Sequence, residues 1–312
     1  MDVFSLALNN GHTVSGLVCI PPSTPATPRQ KPLIVALHGG TMTSAYFDAT
    51  PSTSAAGTAV ALGLPFIAID RPGYVKSTPI LPQQPQDNDT YFQAEGRYLH
   101  QHILPAIWEQ YAKPTNATCL VLLGHSMGCA STIVAAGLAA LEPTSSYVLG
   151  GIIITGWGTA PSAPPEHGQA MLAGKTWTDH IAFPDMSIFG VALYGPKEQN
   201  LVPEDVRGHT SLGMAGCSYG EAADGMLEWP KYWRPRYASK IAVPVFHAMG
   251  GADGLWNVNE QVMRDFTSAF ERAKRVESRI FEDAPHCLEV SLWSRVWYLK
   301  CFAFASECAM EV

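Results

Sequence analysis

The 312-residue chain predicts an α/β fold: a mostly parallel central sheet flanked by helices, with an inserted helical lid. Three observations lead there. Short, nearly continuous apolar runs recur along the chain, each ending at Gly, His or Asp. Helix-forming segments separate them. The alternation breaks once, where about 80 residues rich in Trp, Pro and Gly stand between two runs, against an ordinary connection of about 2–6 residues.

FSLAL and TVSGLVCI flank Asn9-Asn10-Gly11-His12, which predicts an opening β-hairpin with an Asn-Gly turn. PPSTPATPRQKP then forms a polar, proline-rich connection. PLIVALHGG, PFIAIDRPG, TCLVLLGHS, GGIIITGWG and AVPVFHAMGG follow. Strands buried on both faces read this way, because helices cover both sides of a parallel sheet. Helices are expected at about 44–62, 91–112, 127–141, 257–274 and 289–306, with a further strand at Ser278-Arg279-Ile280-Phe281. Residues 1–158 and 241–312 should build one core, and residues 159–240 a lid over the carboxyl edge of the sheet.

Hydrophobic residues make up 47% of the chain and charged residues 15%, against a typical charged share of about 25%. Such a chain can bury a large core and keep apolar surface for a pocket. A net charge of −7 argues against a nucleic-acid partner, whose binding rests on phosphate neutralisation. No secretory signal is expected, and no apolar run approaches the roughly 20 residues needed to span a bilayer. The seven cysteines include no C-x-x-C pair, and Cys19, Cys119, Cys129 and Cys301 lie in apolar contexts, so a cytoplasmic, disulfide-free protein is expected. His100-Gln101-His102 is a poor metal site, since residues two apart do not share a helix face; neither metal nor cofactor is expected. Oligomeric state is left open.

LVLLGHSMGCAST, residues 120–132, carries the chemistry. Ser126 follows an apolar strand and precedes a helix start of small residues. A nucleophile elbow needs that layout: the reversal strains the serine backbone and exposes its hydroxyl, and a Cβ on either flanking residue would strike the neighbouring strand or helix. Gly216-Cys217-Ser218-Tyr219-Gly220 fits the same G-x-S-x-G pattern. Ser218, however, follows a poor strand, precedes acidic residues, and falls inside the expected lid.

A serine hydroxyl needs a base, and the base needs an acid to fix its tautomer. His286, in EDAPHCLEV, stands in a loop between the last strand and the last helix. Asp253, in HAMGGADGLW, stands just past a strand end. Both are loop tips at the carboxyl edge that carries Ser126, where open α/β sheets collect their chemistry. Asp283 competes as the acid. His125 and His247 read as structural. For the developing oxyanion, the Gly39-Gly40 pair frees the N–H of Gly40 (Thr41 is the fallback), and Met127 supplies a second N–H at a helix start.

Together these segments resemble the α/β-hydrolase superfamily over nearly the whole chain. LHGGTMTSAYFD is similar to its oxyanion loop, and IDRPGYVKST to its D-x-P-G-x-G-x-S segment, with Val75 in place of the second glycine. GHSMG is similar to the elbow, GGADGLW to the acid loop, and APHCLE to the histidine loop, with Pro285 in place of the usual glycine. The resemblance implies the α/β-hydrolase fold, Ser126, Asp253 and His286 as triad, and Gly40 and Met127 as oxyanion hole. The serine at the elbow speaks against the epoxide hydrolase and haloalkane dehalogenase branches, whose nucleophile is aspartate. The chain also resembles small fungal esterase, lactonase and thioesterase-type hydrolases. The expected activity is cleavage of a carboxylic ester, lactone or thioester of a largely apolar small molecule through an acyl-serine. An acyltransferase or macrolactone-forming enzyme using the same acyl-serine, or a lyase or cyclase on this fold, is the alternative. Thr41, Trp157, Trp177, Phe189, Tyr194 and Trp229 are candidate pocket residues, with Met171, Phe183 and Met226; packing into the lid's own core is the competing role for the lid residues.

Overall fold

The computed structural model describes residues 1–22, 30–80, 89–142, 144–176, 180–181, 186–209 and 215–312. The strands are β1 (Asp2–Ala7), β2 (Thr13–Cys19), β3 (Pro32–Leu37), β4 (Phe66–Ile69), β5 (Cys119–His125), β6 (Leu149–Thr155), β7 (His180–Ile181), β8 (Cys217–Ser218), β9 (Val245–Gly250) and β10 (Val276–Phe281). Eight form one sheet in the order β1-β2-β4-β3-β5-β6-β9-β10, while among the described residues β7 and β8 pair with each other. β1 and β2 form the expected hairpin, and β2 runs antiparallel to β4; the pairings along β4-β3-β5-β6-β9-β10 are parallel, and β7–β8 is antiparallel. From β3 the chain goes to β4 on one side and later to β5 on the other. The crevice between their carboxyl ends is therefore a switch point, where α/β sheets bind ligands.

The apolar runs are continuous because each strand feeds two cores. Leu33, Val35 and Leu37 of β3 join the cluster on one face, and Ile34 and Ala36 the cluster on the other. Leu120 and Leu122 of β5 likewise oppose Cys119, Val121 and Leu123. β10 is an edge strand, and it is exposed along most of its length.

Three helical expectations need correction. Residues 44–62 are not one helix but a short turn, Ser44–Asp48, and a helix, Ala55–Leu62. Pro51, with no N–H to give, interrupts the run; Ser54 Oγ then caps the second piece, and Gly63 ends it at φ +65°. The expected helix over 257–274 spans only Glu260–Thr267: Asn259 caps its start by accepting Val262 N (3.0 Å), and past Thr267 the amides of Ala269 and Phe270 turn back onto Phe266 O (3.2 Å) and Thr267 O (3.1 Å) in tighter turns. The last helix starts later than 289, at Ser294, and runs to Met310. Residues 91–115 are helical throughout, with wide turns ahead of Pro105 and Pro114, where the Leu104 and Lys113 amides reach back to Leu99 and Trp108. The helix Gly128–Leu141 lies where expected.

Between β6 and β9 the chain forms the inserted segment. Its described helices are Pro165–Leu172, Met186–Tyr194, Glu204–Arg207, Tyr219–Ala223 and Trp229–Arg236.

Candidate active site

Ser126 sits between β5 and the helix Gly128–Leu141 with φ +50°, a left-handed backbone that costs a non-glycine residue about 1–3 kcal/mol. Its amide donates to Thr155 O of β6 (2.8 Å), and its carbonyl accepts from Cys129 N (2.9 Å). The flanking glycines are dictated by space. A Cβ on Gly124 would stand 2.8 Å from the Cα of Cys129, and one on Gly128 would stand 2.7 Å from the carbonyl oxygen of His38. Gly39 packs against Ser126 itself, with a Cβ position 2.9 Å from the serine Cβ.

Asp253 and His286 reach each other because two loops pack on glycine. Gly250 and Gly251, at the end of β9, face the backbone of Ala284, Pro285 and Glu282 with no room for a side chain. Gly251 N bonds Phe281 O (2.7 Å) and Ala252 N bonds Ala284 O (2.9 Å). His286 Nδ1 then lies 2.8 Å from Asp253 Oδ2, with both side chains fully buried. Asp253 Oδ1 accepts the amides of Leu255 (2.8 Å) and Trp256 (3.1 Å), so the acid presents Oδ2 in one orientation. A proton on Nδ1 leaves Nε2 as a lone-pair nitrogen, and it is buried without a partner among the described residues. The ring edge lies against Gly156, the residue after Thr155, which holds the Ser126 amide: a Cβ there would be 3.1 Å from His286 Cε1. No direct hydrogen bond links Ser126 Oγ to Nε2 among the described residues.

The helix Met186–Tyr194 ends on both loops. Ala192 O accepts Gly254 N (3.2 Å) and Leu193 O accepts Cys287 N (3.0 Å). Nothing in the sequence pattern signalled that clamp, because its donors and acceptors are backbone groups.

Gly40 and Met127 adjoin, a Cβ on Gly40 falling 2.6 Å from Met127 Sδ, and neither amide is used by another described residue. Thr41 is buried at φ +63° with its hydroxyl unpartnered among the described residues, and its carbonyl accepts Ala215 N (2.8 Å) from the inserted segment.

The aromatic candidates divide. Trp157 is buried at the end of β6 among Trp256, Trp229 and Phe92 (centroids 5.3, 6.2 and 6.4 Å), with its indole N–H unpartnered among the described residues. Trp229 is walled further by Trp233 and Tyr232. Tyr194 lies in the opposite core cluster, its hydroxyl also unpartnered among the described residues. Trp177 and Phe183 lie outside the described residues, as does the side chain of Phe189, whose backbone belongs to Met186–Tyr194. Met171 is partly buried beside Leu172 and Cys217, while Met226 is more exposed.

Ser218 has ordinary extended backbone and caps Tyr219–Ala223, its Oγ accepting Glu221 N (3.1 Å). Asp283 is exposed. His247 stacks on Phe266 (4.2 Å) and donates from Nε2 to Trp157 O (2.9 Å); burial pulls it down to about 4. His125 turns from the serine toward Tyr46, stacked at 4.6 Å, and toward Glu289, whose Oε2 is 3.2 Å from Nδ1 but off line for a hydrogen bond. Burial works against the charge on Glu289, yet His125 and the Tyr46 hydroxyl hold it below the usual carboxylate range.

One polar group escaped sequence reasoning altogether. Arg71 is fully buried, with Nη1 on both oxygens of Glu95 (3.2 and 3.1 Å) and Nη2 on Glu221 and on Gly39 O (3.2 Å). Ser131, in the helix after the elbow, bonds Glu95, and Tyr74 donates to Glu221 (2.7 Å). Its three charges come from distant segments, so no local spacing reveals them.

Residues 34–295 match the Alpha/beta hydrolase family. No curated protein sequence matches the chain. Among solved structures, an esterase from Exiguobacterium antarcticum superposes with TM-score 0.63 at 14% identity, over 96% of this chain and 98% of its own. An esterase from Rhodococcus sp. ECU1013 gives 0.57 at 15%, over 98% and 99%. A monoacylglycerol lipase from Paleococcus ferrophilus gives 0.56 at 16%, over 99% and 100%. At these identities the likeness is one of fold.

Proposed function

The chain belongs to the alpha/beta hydrolase family, and we propose that it is a serine hydrolase that cleaves a carboxylic ester, lactone or thioester of a largely apolar small molecule. The observation that carries this reading is the fully buried Asp253–His286 pair, with Nε2 unpartnered, at the sheet edge that holds Ser126 in its strained turn. The esterases and the lipase among the structural neighbours support it.

His286 takes the Ser126 proton on Nε2 as the serine oxygen attacks the carbonyl carbon; the hydrogen bond between them forms as substrate seats. Asp253 stays ionised and stabilises the imidazolium. The carbonyl oxygen gains the electron pair and is met by the amides of Gly40 and Met127, each such donor contributing about 2.7–4 kcal/mol to the barrier reduction. His286 then returns the proton to the leaving oxygen or sulfur. In the second half, water attacks the acyl-serine by the same proton path and restores the enzyme. Trp157 and Thr41 would border the acyl group.

Turnover of p-nitrophenyl acyl esters tests the reading. Ser126→Ala should abolish it, and Ser218→Ala should leave kcat within about twofold, since a cap residue affects stability by about 1 kcal/mol and not the chemistry. The reverse pattern would move the site.

A further inference from the structure

We propose that Arg71 is a positioning residue for the acyl-oxygen site, aiming the Gly40 amide through the planar Gly39–Gly40 peptide, and that Glu221 is the inserted segment's contribution to that aim. The proposal rests on the reading of Gly40 as an oxyanion donor.

Gly39 O accepts from Arg71 Nη2 (3.2 Å) and lies 2.8 Å from His38 Nδ1. His38 Nε2 accepts the Arg71 backbone N–H (3.1 Å), so the proton of the neutral ring is on Nδ1, which donates to Gly39 O. Burial, with Arg71 beside it, holds His38 well below its usual range and keeps the ring neutral. In a trans peptide the C=O and the next N–H point in opposite directions. Pinning Gly39 O on the Arg71 side thus turns the Gly40 N–H away from it. Glycine by itself would let that peptide rotate, because neither Gly39 nor Gly40 has a Cβ to restrict it.

Arg71 can do this only if it is itself immobile. Glu95 takes Nη1, and Ser131 ties Glu95 to the helix that starts at the elbow. Glu221 takes Nη2, and Tyr74 fixes Glu221 through its second oxygen. The guanidinium therefore links the oxyanion loop, the elbow helix and the inserted segment. A second contact repeats the link, as Ala215 N of that segment bonds Thr41 O. Seating of the inserted segment and alignment of the Gly40 amide are then one event.

The test uses Arg71→Lys and Glu221→Gln, each compared with the parent enzyme by circular dichroism and melting. kcat and KM are measured on a p-nitrophenyl ester, and inhibition with an aryl trifluoromethyl ketone, whose serine adduct places an oxyanion between the same two amides. Arg71→Lys should lower kcat about 10–100-fold with KM within about threefold, and weaken the ketone by the same factor, since the lost interaction exists only in the transition state. Glu221→Gln, which keeps the shape of the side chain, should shift both in the same direction by about 3–10-fold. Should Arg71→Lys not fold, Glu221→Gln decides by the same readouts. Unchanged kcat and ketone affinity, or a loss confined to KM, would overturn the proposal. A Ser126→Ala enzyme that still turns over would instead overturn the functional reading beneath it.

Discussion

At the scale of single residues, the site is shaped by where side chains are forbidden. Gly128 abuts the carbonyls of Leu37 and His38, backbone atoms that cannot step aside. Gly128→Ala should cost about 1–3 kcal/mol or more, read as a lower urea midpoint. Gly57 is the control: it lies within the helix Ala55–Leu62 with nothing near its Cβ position, so Gly57→Ala should stabilise by about 0.5–1 kcal/mol. A loss at Gly57, or tolerance at Gly128, would contradict this packing account. The elbow glycines were legible in GHSMG because strand, turn and helix are adjacent in sequence. Arg71 was not: its partners Glu95 and Glu221 lie 24 and 150 residues away, and only folding brings them to one point.

Elements were read best where a pattern is continuous and worst where a proline or a side-chain cap bounds it. The central strands were plain, since each alternates between two apolar cores. Pro51 and the Asn259 cap bound helices that apolar spacing alone extended. β9 also carries a pH signature. His247, its ring between Phe266 and the Trp157 carbonyl, falls from an ordinary 6.5 to about 4 on folding. Between those values the unfolded chain holds more protons, so this stability is fully present above pH 6.5 and is lost as pH falls toward 4. Asp224, in the inserted segment, accepts Phe92 N (2.7 Å) and is raised by burial to about 6. Its folded state binds more protons, so its contribution runs the other way, firming between pH 6 and 4. Melting temperatures from pH 7.5 to 4.5 should show a shallower acid decline in His247→Gln and a steeper one in Asp224→Asn. Parallel curves for all three proteins would refute both assignments.

For the whole molecule, the opening hairpin, the parallel sheet and the interruption between β6 and β9 were legible because each spans many residues of one pattern. The seating of the inserted segment was not, since it depends on a buried cation shared with two acids and on backbone contacts from Ala192, Leu193 and Ala215. What the molecule accomplishes is convergence: the ends of β3, β5 and β9 and the loop after β10 meet at one rim. The most direct measurement of that claim is mass-spectrometric mapping of the adduct left by a fluorophosphonate probe. A single phosphonylated residue, Ser126, is expected, with an adduct that disappears in His286→Ala. Labelling at Ser218, or undiminished labelling of Ser126 without His286, would contradict it.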